Sequence, residues 1–190
     1  MTRKLCAAAA AVVMVLLVGF AAGSAAQTPT LTPFFTASGT WNVHCEYCDP
    51  YHPGPDYPLT VYFILTGFDA YLSAIEFSVD YPYLVTWLND EGMPPVTFGS
   101  TPTGISMGWG VPQNALDPII VLKADIIYHA TCSHDELRIQ VMPHPVSGAL
   151  QAVRFGDNAL VELAGGAAKF CSRSVPAEGE TWGAIKALYR

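Results

Sequence analysis

Four side chains able to ligate a metal or exchange electrons crowd into HCEYCDPYH: His44, Cys45, Cys48 and His52. Two histidines and two cysteines are the donor inventory of a tetrahedral zinc site. Structural zinc sites, however, bring their ligand pairs from separate segments. Here all four ligands fall within nine residues, and Pro50 and Pro53 restrict how the loop can wrap an ion. A thioredoxin-type dithiol needs Cys-x-x-Cys at a strand-to-helix junction. Pro50, Pro53, Pro55 and Pro58 oppose any helix after Cys48. Haem attachment needs a His directly after the second Cys, where this chain has Asp49. Disulfide formation is the chemistry that remains.

The redox setting follows from the first residues. Arg3 and Lys4 precede an apolar run from Leu5 to Phe20, and small residues lead to Ala26. This is the layout of a secretory signal peptide over residues 1–26. The run approaches the ~20 residues that span a bilayer, but the small residues after it favour cleavage over a retained anchor. The expected location is secreted, periplasmic or extracellular, with no membrane span after cleavage. Loss of Arg3 and Lys4 takes the formal net charge from −7 to −9. An acidic domain with scattered Lys and Arg has no footprint for nucleic acid.

Cys45, Cys48, Cys132 and Cys171 survive cleavage, and an even number in an exported chain argues for two disulfides. If residues 41–48 were extended throughout, Cys45 and Cys48 would stand ~10 Å apart. A disulfide needs Cα atoms within about 7 Å. Either the strand ends near Cys45 and turns, letting the pair close, or each cysteine reaches elsewhere; the favoured pairing is Cys45 with Cys48 and Cys132 with Cys171. His129, His134 and His144 read as polar turn residues, with a convergent metal cluster as the alternative.

Catalytic templates are missing from the sequence. There is no nucleophile elbow, no HExxH and no Gly-rich phosphate loop. Glu76 and Asp80 fall on one outer strand face, which suits solvated charge better than glycosidase carboxylates. Asn89-Asp90-Glu91, Asp117 and Asp157-Asn158 leave calcium open, without the spacing of an EF-hand loop. No cofactor is expected, and zinc is disfavoured.

The elements that carry these residues alternate with period two. SAIEFSVDY puts Ser73, Ile75, Phe77, Val79 and Tyr81 on one face; ELRIQVM puts Leu137, Ile139 and Val141 inward. LTVYFILTG and IIVLKADIIYH are apolar on both faces, as central strands are. LQAVRFGDNALVEL reads as a hairpin turning at Gly156-Asp157-Asn158. Frequent Pro and Gly punctuation predicts one all-β sandwich of about eight to ten strands over residues 39–173. Residues 27–38 read as a Thr/Pro-rich linker or N-terminal arm. Residues 174–190 read as a tail with a short amphipathic helix, capped by Thr181, that either docks on the sandwich or is recognised by a partner. Trp182, Ile185, Lys186 and Tyr189 would carry such recognition.

LTVYFILTGFDAYLSAIEFSVDYP, followed by TGISMGWG and PIIVLKADIIY, is similar to the strand order of cohesins over Trp41 to Cys171. That resemblance implies an immunoglobulin/cohesin-like, jelly-roll-type sandwich that binds a helical protein domain on one sheet face. VMPHPVSG, KFC and TWGAIKALYR resemble a set in uncharacterised secreted proteins of environmental bacteria, which implies export and a recurring tail. The expected function is a secreted, non-enzymatic module for adhesion, surface assembly or recognition. Its partner would be a protein or a carbohydrate at the cell surface. Tyr47, Tyr51, Tyr57, Trp87 and Trp109 are the candidate binding aromatics. The alternative is an extracellular metal-binding or hydrolytic protein using His44, Cys45, Cys48 and His52.

Overall fold

The computed structural model describes residues 28–48, 56–92, 94–129 and 137–174, with backbone alone at 44–48 and 171–174. The expected signal peptide over residues 1–26, Tyr51, His52, Cys132, His134 and the tail residues Trp182, Ile185, Lys186 and Tyr189 lie outside them. The described residues form strands and turns with no helix.

In chain order the strands are β1 (Thr30–Phe34), β2 (Val43–Cys48), β3 (Asp56–Thr66), β4 (Tyr71–Asp80), β5 (Val85–Glu91), β6 (Val96–Ser100) and β7 (Gly104–Asn114). They continue with β8 (Ile119–His129), β9 (Leu137–Met142), β10 (Gln151–Arg154), β11 (Leu160–Glu162), β12 (Ala164–Gly165) and β13 (Ala167–Ser174). One sheet runs β12-β1-β3-β8-β5. The other runs β11-β10-β4-β9-β13-β2 and also takes β7 beside β4, with β6 beyond β7. β9 and β10 pair with successive parts of β4, at Ser78–Asp80 and at Leu72–Glu76, so an excursion at 143–150 interrupts what is nearly one strand.

Between the sheets lies the apolar set that the alternation selects. Ile75, Phe77 and Val79 from β4 face Val61, Phe63 and Leu65 from β3, all buried. Phe63 and Phe77 meet across the sheets with ring centroids 5.7 Å apart. Tyr128 of β8 stacks on Phe170 of β13 at 4.3 Å, and Phe35 meets the same ring edge-on. Leu137, Ile139 and Val141 are buried as expected. β10 and β11 form the expected hairpin, with Gly156 (φ 106°) and Asn158 (φ 55°) in its turn.

Three expectations are corrected. The Thr/Pro stretch 27–38 is not a linker: it contains β1, which pairs antiparallel with β3 and buries Leu31 completely. Carbonyls of Pro29 and Leu31 accept from the N–H groups of Ala164 in β12 and of Gly166 just after it, so alternation aims position 33 the same way; β12 pairs only Thr30 and Leu31, and Pro33 has no bond to lose. The turn near Cys45 is absent: Val43–Cys48 is one continuous strand paired in parallel with β13. Cys45 and Cys48 are therefore ~10 Å apart along extended backbone, beyond disulfide reach. Finally, a register shift between Leu72 and Ala74 breaks the alternation in β4, so Leu72 is buried where Ser73 was expected to turn inward.

Candidate functional site

The outer face of the larger sheet carries two rungs of side chains in register across five strands. One rung is Leu160, Val153, Ala74, Gly108 and Val96, from β11, β10, β4, β7 and β6. The next, in the same strand order, is Glu162, Gln151, Glu76, Ser106 and Phe98. Residues two apart on a strand share a face, so these ten positions form one surface. The centre of each rung is small or polar and the ends are large. A trough results, with Ala74, Gly108 and Ser106 on its floor and Val96, Phe98, Val153 and Leu160 on its rims.

This trough is a cavity of about 300 Å³. Its rims are exposed: Phe98 keeps 70% of its surface, Leu160 65% and Val96 52%. From β10 to β6 is three strand spacings, about 14 Å. Glu76 is the acidic group on the floor, and its Oε1 accepts a 2.6 Å bond from Gln151 Nε2. A Cβ added at Gly108 would find only ordinary contact with Val96, at 3.8 Å. The floor is therefore bare without any steric demand for glycine.

The β6–β7 rim is held from the opposite sheet. Thr101, in the β6–β7 turn, is fully buried; its backbone N–H donates to Asp90 Oδ2 and its hydroxyl to Asp90 Oδ1, both at 2.8 Å. Trp87 Nε1 donates to the same carboxylate at 3.0 Å. Thr101 spends its only hydroxyl proton on Asp90, so the 2.9 Å contact with Tyr81 is a bond donated by the Tyr81 hydroxyl. The Thr101 carbonyl accepts from Val79 N–H. Burial first, and then the Asp90 charge, hold the Tyr81 phenol well above its ordinary range.

The residues singled out by type are placed as follows. Tyr57, Trp87 and Trp109 are half-buried against the core, the first two in the smaller sheet and the third in the larger. Tyr47 lies in β2. Asp90, a calcium candidate, has its carboxylate occupied by the three donors above. Asp157 accepts two bonds from Arg154 and one from Ala159 N–H. His129 bonds Asp56 at 2.7 Å and Thr86 at 2.8 Å, while His144 Nδ1 accepts from Val146 N–H. Among the described residues no group of three or more His, Cys, Asp or Glu is placed to hold a metal. Nor is any helix there long and apolar enough to cross a membrane.

Type and spacing did not mark the trough. Val96, Phe98, Val153 and Leu160 are outward apolar residues on three strands, β6, β10 and β11, and no sequence signal says that β6 lies on the same face as the other two. The usable hint was the excess of apolar residues at outward positions of alternating segments.

No protein-family model and no curated protein sequence matches the chain. Among solved structures it is similar to a non-cellulosomal cohesin from the archaeon Archaeoglobus fulgidus, at 9% identity and a TM-score of 0.48, over 77% of this chain and 93% of that one. It is also similar to a cohesin from Clostridium acetobutylicum, at 13% identity and a TM-score of 0.46, over 79% of this chain and 92% of that one. A third is the seventh ScaB type I cohesin from Pseudobacteroides cellulosolvens, at 10% identity and a TM-score of 0.45, over 81% and 98%.

Proposed function

We propose that this protein is an exported, non-enzymatic binding module that seats a helix of a protein partner in the trough between β10 and β6. The observation that carries the proposal is the pair of rungs, with Ala74, Gly108 and Ser106 low on the floor and apolar Val96, Phe98, Val153 and Leu160 on the rims. A helix with its side chains is about 10–12 Å across, which suits a channel about 14 Å between strand axes. The apolar rims receive side chains at i, i+3, i+4 and i+7 of an amphipathic helix. Glu76 on the floor, with Glu162 on the same rung, selects a partner that carries a basic residue among those anchors. Export rests on the signal-peptide layout of residues 1–26.

The test is selection of a phage library displaying helical peptides against the folded domain, followed by titration with variants. Gly108→Val fills the floor, its Cβ meeting only ordinary contact with Val96, and Phe98→Ala removes one rim. Each should weaken the selected amphipathic, basic helices at least tenfold, the range of an interface anchor, with the unfolding midpoint nearly unchanged. Helices that bind wild type and Gly108→Val alike would sink the proposal. So would glycan binding that Gly108→Val leaves intact, which would favour a carbohydrate partner elsewhere on the surface.

A further inference from the structure

The parallel pairing of β2 with β13 carries a second consequence, independent of the trough. Its register sets Val43 against Lys169, His44 against Phe170 and Cys45 against Cys171, and it continues to Cys48 against Ser174. Two of the chain's cysteines therefore occupy directly opposed positions on neighbouring strands. Neighbouring strands lie about 4.8 Å apart, and disulfide Cα separations run from about 4.4 to 6.8 Å. Opposed positions share one face of the sheet. Ala168 and Phe170 are buried, so alternation assigns position 171, and with it position 45, to the outer face.

We propose that Cys45 and Cys171 form a disulfide that clasps β2 to β13. The bond forms by exchange with an external disulfide, either small-molecule or on an oxidoreductase. The thiolate of one cysteine attacks that disulfide and releases one thiol. The second cysteine, deprotonated, then displaces the other thiol. The two cysteines lose two protons and two electrons, and the external disulfide is reduced to two thiols.

The place of the clasp explains its use. Among the described strands, β2 lies at the edge of its sheet with β13 as its neighbour. Parallel pairing is slightly weaker per residue than antiparallel, and the connection between the two strands spans most of the domain. A bridge across a loop of that length removes much of the unfolded chain's freedom. Cys48 lies an odd number of positions from Cys45 and thus on the other face, opposite Ser174. With Cys45 and Cys171 joined, Cys48 and Cys132 are the remaining pair.

The test uses residues 27–190, the chain left after removal of the expected signal peptide and with it Cys6, refolded and oxidised in a glutathione redox buffer, with free thiols alkylated before digestion. Cleavage after Glu46 separates Cys45 from Cys48, and trypsin releases Phe170–Arg173. Mass spectrometry should find Cys45 joined to the Phe170–Arg173 peptide, and reduction should release it. Cys45 joined to Cys48 or Cys132, or alkylated as a free thiol, overturns the proposal. Cys45→Ser should expose Cys171 as the alkylated thiol; exposure of Cys48 or Cys132 instead counts against it. Cys45→Ser, Cys171→Ser and the double variant should lower the melting temperature by one common amount, on the order of 10 °C. Additive losses from the two single variants would show that the cysteines act separately.

Discussion

At the scale of single residues the decisive group is Asp90. It is a buried carboxylate that accepts from Thr101 N–H, Thr101 hydroxyl and Trp87 Nε1. Asp90→Ala strands three donors in the interior, so we expect a loss of about 3–5 kcal/mol, read from the urea midpoint. Tyr81 extends the same network and adds a pH dependence. Its phenol is held above the ordinary value of 10, so above about pH 10 the unfolded chain loses a proton that the folded chain keeps. Stability must then fall as pH rises. The stability advantage of wild type over Tyr81→Phe should shrink by about 1.4 kcal/mol per pH unit above pH 10; a constant gap would contradict the burial of the phenol. Asp90 was legible only as an acidic residue in a turn-like stretch. Its partner is eleven positions away, in a turn of the opposing sheet, and nothing local specifies that contact.

Among the elements, β1 departs furthest from its local appearance. Its composition, rich in Thr and Pro, resembles a linker, yet Leu31 is fully buried. Leu31→Ala should cost about 2–5 kcal/mol in chemical denaturation, as a core truncation does. Val146→Ala, at a side chain 89% exposed, should change stability by less than about 0.5 kcal/mol. Equal effects at the two sites would return β1 to the status of a linker. The alternating strands β4 and β9 and the β10–β11 hairpin were readable because one buried face imposes period two on the residues themselves. β1 was not, because five residues with one proline carry too short a pattern. Its place depends on β3 and β12 for partners.

At the scale of the molecule, the two sheets are joined by strands distant in sequence. β13 sits between β9 and β2, and its Phe170 stacks on Tyr128 of the other sheet. Deleting residues 167–174 would take from β2 its partner and leave β9 paired with β4 alone, and it would empty the centre of that stack. We expect such a chain to lose its cooperative thermal transition and its near-ultraviolet dichroism; retention of both would show that β13 is dispensable. The sequence by itself determined the element class, the inward sets of the longer strands and the hairpin. Each of these follows from local alternation, backbone preference or composition. The tertiary structure alone decided that Val153 and Leu160 face Val96 and Phe98 across a bare floor. It also decided that Asp90 meets Thr101 and that Cys45 stands opposite Cys171. Those adjacencies are set by strand order and register, which arise from packing among residues far apart in the chain and leave no periodic trace within any one strand.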